Sequence, residues 1–474
     1  MKNRREFLKM SVVGGGALLV RPTGLWSKEK SPADPWDAVP EILSRIKPPV
    51  FPNRDFDITK FGAVGDGKLD CTQAIQKAIA ACQAAGGGRV VVPPGEFATG
   101  AIHLKSNTNL HIVSGATVRF LRDTRKYPLV FTRWEGMELM NYSPFIYAFE
   151  QENIGITGGG AIDGDADCEH WWPWKGRQKC GWKKGDPSQE KDRNALFDMA
   201  ERGVPVSERV FGEGHYLRPQ FIQPYRCKNV LIEGVTLRNS PMWQLHPVLC
   251  TNVTVRRMTI TGAGSNHDAA PNTDGCDPES CTDVLIQDCN FNTGDDCIAI
   301  KAGRNADGRR VNMPSQNIVI QGCHMKDGHG GVTIGSEISG GVRNVFAENC
   351  RMDSPHLDSA VRIKNNAMRG GLLESIHVRN IEVGEVAMAG LTIDDFYEEG
   401  EAGKFVPVVR NVDLRNVTMK RAQYALYLRG FKNAPIENVR LADCDLEGVA
   451  KPNVIENVKG LEMKNVRING KLEE

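Results

Sequence analysis

From residue 229 onward, apolar and polar positions follow one repeating nine-residue pattern. It runs through "NVLIEGVTL" (229–237), "NVTVRRMTI" (252–260), "DVLIQDCNF" (283–291), "NIVIQGCHM" (317–325) and "NVFAENCRM" (344–352). "SIHVRNIEV" (375–383), "NVDLRNVTM" (411–419), "NVRLADCDL" (438–446) and "GLEMKNVRI" (460–468) continue it, and 109–118 and 153–162 fit more loosely. In each unit the apolar side chains alternate, a break shifts the phase, and they alternate again. That is the pattern of two short strands joined by a bend. The units recur every 22 to 36 residues or so, a spacing about that of solenoids.

An immunoglobulin-like sandwich also has many short strands, but nothing in it requires one template to recur along the chain. In a parallel β-helix, equivalent positions of successive turns form inward columns. The seventh template position is such a column: Val235, Met258, Cys289, Cys323, Cys350, Ile381, Val417, Cys444 and Val466. Buried Cys acts as a small hydrophobe, so the four cysteines read as core filling rather than metal ligands. The pattern therefore predicts an all-β fold, a right-handed parallel β-helix spanning residues 54–474.

The end of a solenoid exposes an unpaired apolar layer and needs a cover. "DCTQAIQKAIAACQAAGGG" (70–88) predicts a helical N-terminal cap, with Asp70 at its start, Ala74, Ile75, Ala78 and Ile79 on its buried face, and Gly86 to Gly88 ending it. The largest departure from the repeat is at about 165–218, which includes "HWWPWKG" and a helical stretch around "RNALFDMAERG". Solenoid insertions emerge as loops on one face, often the binding face. Trp171, Trp172 and Trp174 either stack on a ligand there or pack the insertion itself.

Composition narrows the function. With 41% hydrophobic and 25% charged residues and a formal net charge of +1, the chain has no global attraction for nucleic acid or anionic membrane. An anionic partner has to be met by a local cluster of cations. Residues 1–27 join a basic stretch containing Arg4 and Arg5 to a short apolar run, which resembles a twin-arginine export signal and predicts a periplasmic destination. Residues 28–53 read as a linker or N-terminal extension. No other apolar run is long enough to span a bilayer. Of the thirteen cysteines, Cys168 and Cys180 are a conceivable local disulfide. An oligomer is possible.

The chemistry emerges when the segments after each unit are laid side by side. "TGDDCIAIKAG" (293–303) aligns with "DGHGGVTIGS" and with "DSPHLDSAVRIKNN", so that 298–301, 332–335 and 361–364 become equivalent strands, and "PNTDGCDPES" (271–280) sits one turn earlier. Stacked turns lie about 4.8 Å apart. Asp274, Asp295, Asp296, His329, Arg362 and Lys364 then share one face of four successive turns. Several carboxylates so close cannot all ionise cheaply, and the pKa of one of them should rise. This makes an acid and a base from one residue type, as glycoside hydrolysis requires. Which Asp keeps the proton is a property of the coupled set. Arg362 and Lys364 suit a substrate carboxylate, worth roughly 4 kcal/mol at about 4 Å and an effective dielectric near 20, before desolvation. Tyr397 in "DDFYEEG" is a further subsite candidate.

"NTDG", "GDDC", "GHGG" and "RIK", in this order, resemble the signature motifs of glycoside hydrolase family 28, the polygalacturonases. The resemblance runs from about residue 54 to the C-terminus, and "RPQFIQPYRCKNVLIEGVTLRNSPMWQLHPV" (218–248) resembles the bacterial exo-acting branch. It implies cofactor-free, metal-free hydrolysis, with inversion, of α-1,4-galacturonosidic bonds in pectin-derived chains. Asp295 would be the general acid, Asp274 and Asp296 would activate water, and His329 would tune the acid. Asn272, Arg362 and Lys364 would bind substrate. Carboxylates one turn apart are closer than the general rule for inversion, which the resemblance overrides. Rhamnogalacturonan hydrolysis, a pectate-lyase reaction and non-catalytic polysaccharide binding are the rival readings.

Overall fold

The computed structural model describes residues 34–177, 180–262 and 270–473. The expected export signal lies outside them. Pro35–Glu474 forms one compact unit, a right-handed parallel β-helix.

The register follows the sequence template residue for residue. Val230 pairs with Val253, Val253 with Val284, Val284 with Ile318 and Ile318 with Val345. Ile376, Val412, Val439 and Leu461 complete the column. Alternation puts the seventh-position residues inside, and all nine are buried in the main core. Lateral hydrogen bonding thus converts a period in sequence into stacked apolar layers.

The first template position has a different role. Asn229, Asn252, Asp283, Asn317, Asn344, Asn411 and Asn438 all have φ between 55° and 59°. Asn and Asp tolerate this left-handed corner better than other residues with a Cβ. Their amides also link the turns, with Asn344 Nδ2 donating to Asn317 Oδ1 at 3.0 Å and Asn317 Nδ2 to Asp283 Oδ1 at 2.9 Å.

Short helices sit outside this wall. α1 (Val39–Arg45) and the 3-10 turn Pro35–Ala38 before it pack Trp36, Val39 and Ile42 against Val319 and Phe346. This part of the expected 28–53 extension is seated on the solenoid flank. α2 (Thr72–Ala84) covers the N-terminal end with Ala74, Ile75, Ala78, Ile79 and Cys82, and Asp70 Oδ1 accepts the Thr72 N–H at 2.9 Å. At the other end Lys471–Glu473 folds back antiparallel onto Val458–Ile468.

The insertion contains α3 (Glu190–Glu201) and the Cys168–Cys180 disulfide. An antiparallel hairpin, Leu129–Trp134 with Met137–Tyr142, joins it, an excursion the repeat pattern does not reveal. Trp134, Met137 and Leu139 of the hairpin pack with Leu196 and Ala200 of α3 and with Trp243 of the solenoid. α4 (Asn305–Val311) follows the central turn of the site. Trp171 and Trp172 are buried in the main core with Trp174 packed on it, so these indoles pack the insertion and the sugar-stacking alternative falls for the two buried ones.

Candidate active site

Three parallel strands, Ile298–Ile300, Gly328–Ile334 and Leu357–Lys364, carry the centre of the site. Ile298, Val332 and Val361 align inward, as do Ile300, Ile334 and Ile363. The intervening residues, Ala299, Thr333 and Arg362, therefore face outward in register. One turn earlier Cys276 pairs with Ile298 and Glu279 with Lys301, so Asp274 stacks on Asp296. Gly330 stacks on Asp296 from the other side, and a methyl group there would strike Thr333 Oγ1.

The bend at 293–297 escapes strict alternation. Thr293 Oγ1 donates to the Asp295 carbonyl at 2.6 Å, the Asp296 N–H donates to Asp295 Oδ1 at 2.9 Å, and Gly294 N–H donates to Thr273 Oγ1 at 3.1 Å. As a result Asp274, Asp295 and Asp296 converge, each offering an oxygen within 4.8 Å of the others. Asp296 is fully buried, accepting from Thr333 Oγ1 at 3.0 Å and pairing with Lys364 Nζ at 2.7 Å. Asp295 opens to the cleft, where His329 Nδ1 lies 3.0 Å from its Oδ1. Arg362 Nη1 is 3.7 Å from Asp296 Oδ1 and donates to the His329 carbonyl at 3.2 Å. Tyr397 borders both cations, its ring centroid 5.2 Å from Lys364 Nζ and 5.7 Å from Arg362 Cζ.

The environments push the carboxylates apart. Burial, and then the charge of Asp295, raise Asp274 to about 8. Burial also opposes ionisation of Asp295, but His329 and the lysines Lys364 and Lys301 outweigh it and hold that carboxyl well below the usual range. The Asp295 charge in turn raises His329 to about 9. Burial thus favours a proton on Asp274, and the Asp295 charge favours a charged imidazole.

Two residues that sequence reasoning did not single out complete the arrangement. Lys301 is buried beneath the triad, 3.4 Å from Asp274 Oδ2, 3.3 Å from Glu337 Oε2 and 4.2 Å from the Trp243 ring centroid. Its position in "CIAIK", equivalent to Lys364 in "VRIK", was the available signal. Arg218, fully buried, donates to Asn272 Oδ1 at 2.8 Å and to the Pro271 carbonyl at 2.7 Å, fixing the turn before Asp274. Asn272 is thus engaged by protein through its side-chain oxygen.

The triad has the shape of a metal-binding carboxylate set, but each member already faces a cation: Lys301 at Asp274, His329 at Asp295, Lys364 at Asp296. Such a donor set suits proton transfer better than a divalent ion. Among the described residues no helix is long and apolar enough to cross a membrane.

The family model "Glycosyl hydrolases family 28" matches residues 212–467, the half of the chain that holds the triad, His329, Arg362, Lys364 and Tyr397. The model "Rhamnogalacturonase A/epimerase, pectate lyase-like" matches residues 56–113, the capping turns. Among solved structures, the hyperthermoactive exopolygalacturonase from Thermotoga maritima is 45% identical, with a TM-score of 0.88 over 92% of this chain and 96% of its own. The polygalacturonase from Erwinia carotovora ssp. carotovora is 25% identical, with a TM-score of 0.63 over 89% of this chain and 98% of its own. A probable polygalacturonase of Vitis vinifera is 27% identical over 412 residues, 83% of this chain and 74% of the relative.

Proposed function

The chain belongs to family 28 of the glycosyl hydrolases, and we propose that it trims galacturonate chains from one end, hydrolysing α-1,4-galacturonosidic bonds with inversion. The observation that carries this reading is the pairing of a three-carboxylate cluster with Arg362 and Lys364 on adjoining turns. Such a site couples acid–base chemistry to recognition of an anionic sugar.

In this mechanism Asp295 gives a proton to the leaving glycosidic oxygen as the bond to the anomeric carbon breaks. A water held by Asp274 and Asp296 attacks the opposite face and passes its proton to that pair. The cycle begins when the proton held by Asp274 crosses to Asp295, a passage favoured by the approach of their oxygens. Two carboxylates sharing one water make inversion compatible with a separation shorter than the usual ~6.5–9.5 Å. His329 favours the charged form of Asp295, Lys364 anchors the Asp296 carboxyl by its hydrogen bond, and Arg362 with Tyr397 receives the sugar.

The end-trimming mode is supported by the wall of hairpin and α3 beside the site and by the likeness to the Thermotoga exopolygalacturonase. Export to the periplasm is supported by the paired arginines Arg4 and Arg5 of the leader. The rhamnogalacturonase-type match covers the capping turns, which hold none of these residues, and does not favour a different substrate.

Chromatography of early products from polygalacturonate tests the proposal. A single small product is expected throughout the reaction. A ladder of intermediate oligomers would refute the end-trimming mode, and no hydrolysis would refute the substrate.

A further inference from the structure

The insertion carries a cation that the reaction as described leaves idle. Lys175 closes the 3-10 turn Trp172–Lys175. It is half-buried, and its ammonium has no hydrogen bond or ion pair with any described residue. Burying the stem of a lysine while leaving its head unpaired costs free energy unless a partner arrives.

Its surroundings have an excess of positive charge. Burial pulls the Lys175 ammonium down to about 8; Glu135 opposes this, and Arg218, Arg177 and Arg193 add to it. Glu135, the one carboxylate among these neighbours, is already held by Arg193 Nε at 2.8 Å and faces Arg304 Nη1 at 3.7 Å. Arg218 is taken up by carbonyls and by Asn272. Lys175, half-buried beside the exposed Arg177, is thus left with that arginine to meet an anion from outside.

Hydrogen bonds tie the residue before it to the reacting centre. The Trp174 carbonyl accepts from Gln189 N–H at 2.6 Å, and Gln189 Oε1 accepts from Arg218 Nε at 3.0 Å. Arg218 then holds Asn272 and Pro271, next to Asp274. Along the solenoid axis this group lies on the turns before the triad, whereas Arg362 and Lys364 lie on the turns after it. Cations therefore flank the carboxylates from both directions.

We propose that Lys175 recognises the carboxylate of the terminal sugar at the walled end, so that the site reads a uronate on each side of the bond it breaks. This rests on the end-trimming reading and adds a second point of substrate recognition to it. It makes Lys175 a specificity determinant, with no part in proton transfer.

The test compares two galacturonate trimers, one fully acidic and one whose terminal carboxyl, at the end the enzyme trims, has been reduced to the neutral alcohol. The wild-type protein is expected to show a KM at least tenfold higher for the neutral-ended trimer, with kcat less affected. Lys175→Met should raise KM for the acidic trimer by a similar factor and erase the preference, while Lys175→Arg keeps most of it. Equal KM values for the two trimers with the wild-type protein would overturn the proposal, and this arm needs no variant to fold. So would a Lys175→Met protein that retains the preference. Internal cleavage of longer chains by the wild type would instead overturn the end-trimming reading, and the proposal with it.

Discussion

His329 and Asp295 stand on adjacent turns of the solenoid with Nδ1 and Oδ1 3.0 Å apart. Each moves the other's titration: the imidazole rises to about 9 and the carboxyl falls well below its usual range, although burial alone would raise it. The raised imidazole contributes stability that is complete below its ordinary pKa and is lost as pH climbs through about 9. The lowered carboxyl contributes stability that is complete above the ordinary carboxylate range and is lost as pH falls through its depressed value. Between those limits the pair holds the fold and the site together.

Replacing the imidazole by a neutral amide removes the strongest of the forces that keep Asp295 ionised. His329→Gln is therefore expected to lower kcat by about 10²–10⁴, the usual weight of a group that governs proton transfer. The alkaline limb of its kcat/KM profile, which reports the group that must carry the proton, should also move to higher pH. A pH-rate series on an oligogalacturonate measures both, and an unmoved alkaline limb would show that His329 has no control over Asp295.

The roles of acid and base separate with leaving groups of different basicity. Asp295→Asn should lose nearly all turnover of an oligogalacturonate yet retain much of it on an aryl galacturonide, whose phenolate departs without a proton. Asp296→Asn should lose both, because water activation is needed whichever group leaves. If Asp274→Asn were the variant rescued by the aryl substrate, Asp274 would be the acid, in line with the burial that favours its protonated form.

Stereochemistry gives an independent check on the crowded carboxylates. Proton NMR of the first product is expected to show the β-anomer appearing before mutarotation, and a chelator should leave the rate unchanged. An initial α-product would point to a covalent intermediate on one of the three carboxylates. An unsaturated uronate, lost on adding chelator, would mean elimination in place of hydrolysis.

The Asn ladder predicts a stability change remote from catalysis. Asn317→Ala removes amide bonds to Asp283 and from Asn344, and it puts a Cβ residue with no local hydrogen bond at φ 56°. A loss of about 1–3 kcal/mol is expected, combining the strained corner with the bonds. Asn317→Gly should recover the backbone part. Urea midpoints of the three proteins measure the difference, with activity at low urea unchanged.

Register was legible because it depends on a short-range code. The column from Val230 to Leu461, and the stacking of the 298, 332 and 361 strands, follow from alternation plus one period, and that was enough to gather six charged residues on one face. The excursions were harder, since they belong to no column. Nothing periodic marks the 129–142 hairpin, and Trp171 and Trp172 read equally well as sugar platforms until Phe145 and Tyr127 are seen packed against Trp171. Lys301 escaped notice for a different reason. A lysine at the end of an apolar run looks like a strand terminus meeting water, and only the carboxylates of other turns reveal it as a buried counter-charge. Asn heads six of the nine units, but its role appears only with the left-handed corner.

The cysteine columns bear on how this protein fails. Eleven thiols are buried, some stacked turn upon turn, and a single disulfide sits outside those columns in the insertion. Packed in the core, they are shielded from oxidants. Once the coil opens in an oxidising medium, eleven thiols and one exchangeable bridge are released together, free to mispair. Durability is then governed by the rate of first opening rather than by an equilibrium between folded and unfolded chains. Heat inactivation should follow a half-life that lengthens in the presence of reductant for refolding, and that shortens wherever a ladder or cap contact is cut.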